Sequence, residues 1–232
     1  MFKYLSIIFL LSSLVSNAAV TWTGNAGTDI FDGGNYSGLA NGVVLGPNVT
    51  VEDDVTFTNA TVTIPQVSAQ QRFQVASGFT MTVDGSNFSL SGGSNDGIGG
   101  APGSTLPAGP AGPTLNIING SSLEAFFIVN GVQMNVDGTS SVTLGGGGNP
   151  VNNSVINLDT GATLAFTRET IAQFNAEHLS KITINGTAAE EGLNFTIDAL
   201  GAGGSSITAI PEPSIGLLGA IGCVALMLRR RR

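Results

Sequence analysis

The chain has 232 residues, a single cysteine and a formal net charge of −8. With its two ends set aside, the body from Ala19 to Ile210 holds fifteen acidic residues against Arg72, Arg168 and Lys181. That imbalance excludes a nucleic-acid partner, whose phosphates such a body repels. The lone Cys223 excludes an intrachain disulfide and a cysteine-based metal centre.

The first eighteen residues have the pattern of a secretory signal: a positive charge at Lys3, an apolar run from Leu5 to Val15, then small residues. The run is too short to span a bilayer. Ser16 and Ala18 occupy the −3 and −1 positions of a signal-peptidase site, so cleavage is expected between Ala18 and Ala19. The residue after that point is Ala19 and not a cysteine, so a lipid-anchored form is not expected.

The body is read as strands and turns. "NVTVEDDVTFTNATVTI", Asn48 to Ile64, alternates with a period of two and is rich in β-branched residues, the signature of half-buried strands. A looser repeat follows in "MTVDGSNFSLSG" from Met81, "LNIINGSSLEAF" from Leu115, "MNVDGTSSVTLG" from Met134, "INLDTGATLAFT" from Ile156 and "ITINGTAAEEGL" from Ile182. Each copy runs from an apolar alternation into Asp or Asn, at 84, 119, 137, 159 and 185, usually with glycine close behind. Those residues suit tight turns. The shortest spacings, 18 and 22 residues, fit one coil of a β-solenoid. The larger gaps call for insertions, and "SGGSNDGIGGAPGSTLPAGPAGP", residues 91–113, reads as a flexible Gly/Pro-rich excursion rather than a strand. The expected class is all-β, a parallel β-solenoid with one short capping helix. A β-sandwich is the alternative, since the turn spacing fits it too. The helix is expected over "TRETIAQFNAEHLSK", with Thr167 as its N-cap and Glu169 in its first turn. Ile171, Phe174 and Leu179 would form its apolar face, shielding the open end of the stack.

The tail, residues 211–232, begins with Pro211-Glu212-Pro213, whose prolines keep it extended. Fourteen uncharged residues follow, Ile215 to Leu228, which as a helix would run about 21 Å at ~1.5 Å per residue. Arg229, Arg230, Arg231 and Arg232 close the chain and orient that helix with its basic end in the cytoplasm and the body outside. These elements in this order resemble the PEP-CTERM sorting signal of Gram-negative bacteria. The resemblance implies an exosortase-type membrane processing enzyme as partner, acting on Pro211, Glu212 and Pro213, and an association with extracellular polysaccharide and biofilm. "VTWTGNAGTDIFDGGNYSG", Val20 to Gly38, is similar to the Trp-x-Gly opening of autotransporter-like solenoid repeats, with Phe31 or Tyr36 where a second Trp often stands.

No catalytic constellation emerges. His178 is the only histidine and reads as a partly exposed helix residue beside Glu177. No Gly-x-Ser-x-Gly motif occurs. Glu52-Asp53-Asp54 and Glu190-Glu191 are carboxylate clusters of the kind a glycosidase pairs across a cleft. Asp84, Asp96, Asp137 and Asp159 fall in turns, and "GGSNDGIGG" resembles one imperfect copy of a Gly-rich calcium repeat. Asp-Gly turns need no metal, so neither metal nor cofactor is expected. The resulting expectation is a non-enzymatic protein exported through signal peptidase and the secretion machinery. It would be held in the inner membrane by residues 215–228, then processed and left at the cell surface or in the matrix. An adhesin or carbohydrate-binding solenoid is the second reading, and a glycan-active enzyme the third.

Overall fold

Alternating Thr/Val/Ile segments need partners for both backbone edges, and the chain supplies them by returning to the same three sheets in turn. In the computed structural model, residues 19–39, 45–64, 71–90, 96–103, 106 and 111–212 are described. They are mostly β, 47% strand, with one α-helix. The first sheet pairs Val20–Trp22, Val55–Thr58, Thr80–Asp84, Thr114–Ile118, Gln133–Val136, Val155–Leu158 and Ile182–Ile184 in parallel. The second runs through Thr61–Thr63, Asn87–Leu90, Ser122–Ala125, Ser141–Leu144 and Thr163–Phe166. The third holds Thr50–Val51, Arg72–Val75, Gly97–Gly100, Phe127–Val129 and Val151–Asn152. From Arg72 to Phe166 the chain visits third, first and second sheet in rotation, and within this stretch strands bond in parallel to those a full circuit later.

The repeat noted in the sequence sets this register. Met81 pairs with Leu115, Leu115 with Met134, Met134 with Ile156, and Ile156 with Ile182. All of these side chains point inward and are buried. A second inward row, Phe57, Val83, Ile117, Val136, Leu158 and Ile184, lies two residues further on. Burying each such side chain contributes about 1.5–3 kcal/mol relative to leaving it in water. The column is aliphatic in its middle and aromatic at its ends. Trp22 meets Tyr36 edge-on at 5.1 Å and Phe57 at 5.5 Å, and Phe57 meets Phe88 at 4.8 Å. At the other end Phe174 lies 5.6 Å from Phe166 and 6.3 Å from Phe195. Burial, reinforced by the charge of Asp29, pushes the Tyr36 phenol far above its ordinary range. Its hydroxyl donates to the Ile30 carbonyl at 2.6 Å.

Corners turn on asparagine. Asn59, Asn119 and Asn185 after strands of the first sheet, and Asn130 and Asn153 after strands of the third, have φ between 49° and 61°, the left-handed region that asparagine tolerates. The repeat's acidic position is not uniform: Ile118 pairs with Asp84, so Asn119 comes one residue later. A second corner device was not legible in the sequence. Ser86, Ser121 and Ser140 are buried, and each hydroxyl oxygen accepts from the backbone N–H of the circuit before it: Ala60 N to Ser86 Oγ at 2.9 Å, Ser86 N to Ser121 Oγ at 3.0 Å, Ser121 N to Ser140 Oγ at 3.1 Å. The ladder satisfies inward-facing amides that no strand can reach.

Two expectations need correction. Gly97–Gly100, assigned to a flexible excursion, is a fully buried strand between Arg72–Val75 and Phe127–Val129. Glycine is required there by close approach: a methyl group on Gly97 would strike the Phe127 carbonyl oxygen, and one on Gly100 that of Asn130. Residues 91–95, 104–105 and 107–110 of the excursion lie outside the described residues. The helix is Ile171–Glu177, capped not by Thr167 but by Thr170, in a capping box with Gln173. Thr167 is still engaged in strand pairing, its N–H donating to the Leu144 carbonyl at 3.0 Å. Nor does the helix close the stack alone. Gly204–Ala209 adds antiparallel to Thr163–Phe166, and Phe195–Leu200 adds to it in turn. Among the described residues no helix is long and apolar enough to cross a membrane, and residues 215–228 lie outside them.

Ser121→Ala removes the acceptor of the buried Ser86 N–H and should lower unfolding free energy by about 1–3 kcal/mol in equilibrium urea denaturation. Gly97→Ala should cost about 3 kcal/mol by the same measurement, because the clash is with backbone. A neutral Gly97→Ala would mean that the third sheet does not pass so close to Phe127.

Candidate functional site

The outward side of the first sheet carries a polar, uncharged row. Thr21, Thr56, Thr82, Asn116, Asn135, Asn157 and Thr183 share one register row. Asn135 Nδ2 donates to Asn116 Oδ1 at 3.0 Å and Thr183 Oγ1 donates to Asn157 Oδ1 at 3.0 Å. Near its C-terminal end a shallow groove of about 410 Å³ runs between Gln133, Asn135 and Asn157 on one side and Ser180, Lys181 and Thr183 on the other. The Lys181 ammonium is tied down, donating to Asn149 Oδ1 and to the Val151 carbonyl, both at 2.8 Å. Burial lowers its pKa, partly offset by the charge of Glu177. Among the described residues the large hydrophobics that are exposed are Val49, Leu193 and Leu200. None is aromatic, so no aromatic row of the kind that stacks on sugars stands on a described outer face.

The carboxylate clusters do not converge. Glu52–Asp54 precede the strand Val55–Thr58, whereas Glu190–Glu191 follow Thr187–Ala188, beyond Ile182–Ile184. Five strand steps of the first sheet separate those strands, about 24 Å at ~4.8 Å per step. A glycosidase pair works at about 5–9.5 Å, so these two clusters cannot act together. The turn aspartates are occupied as acceptors. Asp84 Oδ1 accepts from Asn119 Nδ2 at 2.7 Å, Asp96 Oδ1 from Gln71 N at 2.9 Å, and Asp159 Oδ1 from Asn157 Nδ2 at 3.2 Å. Burial would raise the Asp137 carboxyl, but hydrogen bonds from Ser140, Asn119 and Thr139 outweigh it and hold the group below the usual carboxylate range.

Chemistry gathers instead around the residue expected to be a half-exposed bystander. His178 is 0% exposed. As the C-cap of Ile171–Glu177 it falls one turn after the buried Phe174 on the same helix face. Its imidazole stacks flat on Phe166, with centroids 5.1 Å apart and planes within 5°. Glu169, also buried, enters from the segment linking Thr163–Phe166 to the helix, and its Oε1 accepts from Gly148 N at 2.7 Å. Glu169 Oε2, His178 Nδ1 and His178 Nε2 are buried without a hydrogen-bond partner. Glu177 is exposed at the rim, and one ligand atom from each of the three residues lies within 4.8 Å of the others. No spacing rule in the sequence marks this group, because Glu169 and His178 are brought together by burial. Desolvation, aided by the nearby Lys181 charge, lowers the His178 pKa to about 4.

Of the sorting positions, Pro211 and Glu212 are exposed, and Glu212 Oε1 accepts from the Thr187 hydroxyl at 3.3 Å. Ala19 is exposed next to the first strand, Val20–Trp22, at the opposite end of the strand order. Ala18, Pro213 and Arg229–Arg232 lie outside the described residues. No protein-family model, no curated protein and no solved structure matches the chain.

The buried imidazole predicts a pH dependence. The unfolded chain takes a proton on His178 near its ordinary value of 6.5, and the folded chain only near 4. Between these values the unfolded state binds more protons, so stability falls as pH drops from about 6.5 to about 4 and the contribution is fully present above that window. In the presence of chelator, the urea midpoint should fall from pH 7 to pH 5, and by less in His178→Phe. Equal slopes in the two proteins would show that His178 is not buried in its neutral form.

Proposed function

We propose that this is an exported, non-enzymatic surface or extracellular-matrix protein whose body is a parallel β-solenoid and whose last residues are a PEP-CTERM sorting signal. The observation that carries the reading is the tail: Pro211-Glu212-Pro213, the uncharged run Ile215 to Leu228, then four arginines. Two features of the body support it. Pro211 and Glu212 are exposed directly after the closing strand Gly204–Ala209, open to a membrane-bound enzyme. Strands that recur circuit after circuit in three parallel sheets support the solenoid over the sandwich, which is built from antiparallel pairs. In this reading signal peptidase releases the chain at Ala18–Ala19 and the apolar helix holds it with Arg229–Arg232 inside. An exosortase-type enzyme then acts at Pro-Glu-Pro, leaving the body at the cell surface or among extracellular polysaccharide. The uncharged Thr/Asn stripe and the separated carboxylates favour a structural role over a hydrolytic one.

The test is a triple substitution, Pro211→Ala, Glu212→Ala and Pro213→Ala. Alanine lets a helix extend where proline forbids it, while the apolar run that inserts is untouched. The variant should accumulate uncleaved in the membrane with its body outside, read by C-terminal mass spectrometry of native and exosortase-lacking cells. Processing indistinguishable from the wild type would reduce Pro-Glu-Pro to a linker and overturn the sorting role.

A further inference from the structure

Glu169 and His178 hold unpartnered polar atoms in the interior of the terminal cap, where water does not compete. Both are fixed from outside the cluster. Gly148 N holds one oxygen of Glu169, and Phe166 holds the face of the imidazole. That leaves Glu169 Oε2 and the ring nitrogens of His178 with no partner. Glu177 is exposed beside them and gives an entry path from solvent.

We propose that Glu169, Glu177 and His178 bind one divalent transition-metal ion of the zinc class, which staples the segment before the terminal helix to that helix's C-terminal end. The ligand atoms lie within 4.8 Å of one another. Zinc bonds of about 2.0–2.2 Å place neighbouring ligands of a tetrahedral site about 3.4 Å apart. Binding would close that gap by rotation of the exposed Glu177 side chain and a small inward shift of the Glu169 carboxylate toward the imidazole. An imidazole with two carboxylates matches zinc, whereas calcium and magnesium take oxygen ligands alone. Charge favours a cation as well: the site brings two carboxylates together, and the ammonium of the nearby Lys181 is turned toward Asn149 and Val151. One ring nitrogen coordinates, the other is left as an N–H donor, and water takes the fourth position on the Glu177 side.

The experiment uses the full chain in detergent, stripped with chelator and exchanged into chelator-free buffer at pH 7. Zinc chloride is titrated by calorimetry, and cobalt(II) is used as the absorbing substitute. The expected result is one equivalent of zinc bound, a higher melting temperature, and the intense visible bands of four-coordinate cobalt. Glu177→Gln, whose side chain is exposed and whose fold is checked by circular dichroism, should weaken binding about tenfold or more. Glu169→Gln should weaken it at least as far. Absence of saturable zinc binding by the folded wild type overturns the site. So does binding that both variants retain at wild-type affinity, and a weak octahedral cobalt spectrum overturns the zinc-class assignment.

Discussion

Everything in this body depends on strands bonding in parallel to the strand one circuit later. Parallel ladders evenly pair every edge amide and carbonyl, but they put equivalent residues directly on top of one another. A position that faces inward in one circuit faces inward in all of them. This is why Met81, Leu115, Met134, Ile156 and Ile182 form one buried file, and why the polar Thr82, Asn116, Asn135, Asn157 and Thr183 form another outside. The corners obey the same rule. Left-handed asparagines recur where the path bends, and serine hydroxyls serve one another's neighbours through the interior.

A column of this kind has a problem only at its ends, where inward side chains and strand edges lose their next neighbour. Both ends are treated alike. Each carries an aromatic cluster in place of aliphatic rows, and each adds short antiparallel strands: Tyr36–Ser37 against Val20–Trp22, and Thr187–Ala188 against Ile182–Ile184. The second sheet is finished by the hairpin of Phe195–Leu200 and Gly204–Ala209. The capping helix therefore works as one part of a larger closure, and the buried His178 and Glu169 belong to that closure rather than to the repeating body.

Periodicity was legible in the sequence because stacking makes it repeat. The five repeat starts gave the pairing register, and the strand-rich composition gave the class, all-β with parallel sheets. What did not repeat was hidden. Gly97–Gly100 looked like linker because its composition is set by close backbone approach rather than by strand propensity. The N-cap shifted from Thr167 to Thr170 because strand pairing along Leu144 competes for Thr167. Glu169 and His178 gave no signal, since a charged residue and the chain's sole histidine read as surface until the fold encloses them. Serines 86, 121 and 140 looked like ordinary turn residues, and only the inward direction of the Ala60, Ser86 and Ser121 amides gives them work.

The in-register pairing also governs how such a chain can change length. Gain or loss of a single residue within a strand reverses inside and outside for all that follows in that strand. A whole circuit is different. The stretch from Gln133 to Ser154 enters and leaves the stack at equivalent points of the first sheet, Gln133 pairing with Val155. Duplicating it would lengthen the aliphatic column while both aromatic ends and their closing strands stayed intact. Growth in this architecture is quantised: drift within a circuit is confined to its corners, and the reach of the protein is set by how many circuits separate two fixed termini.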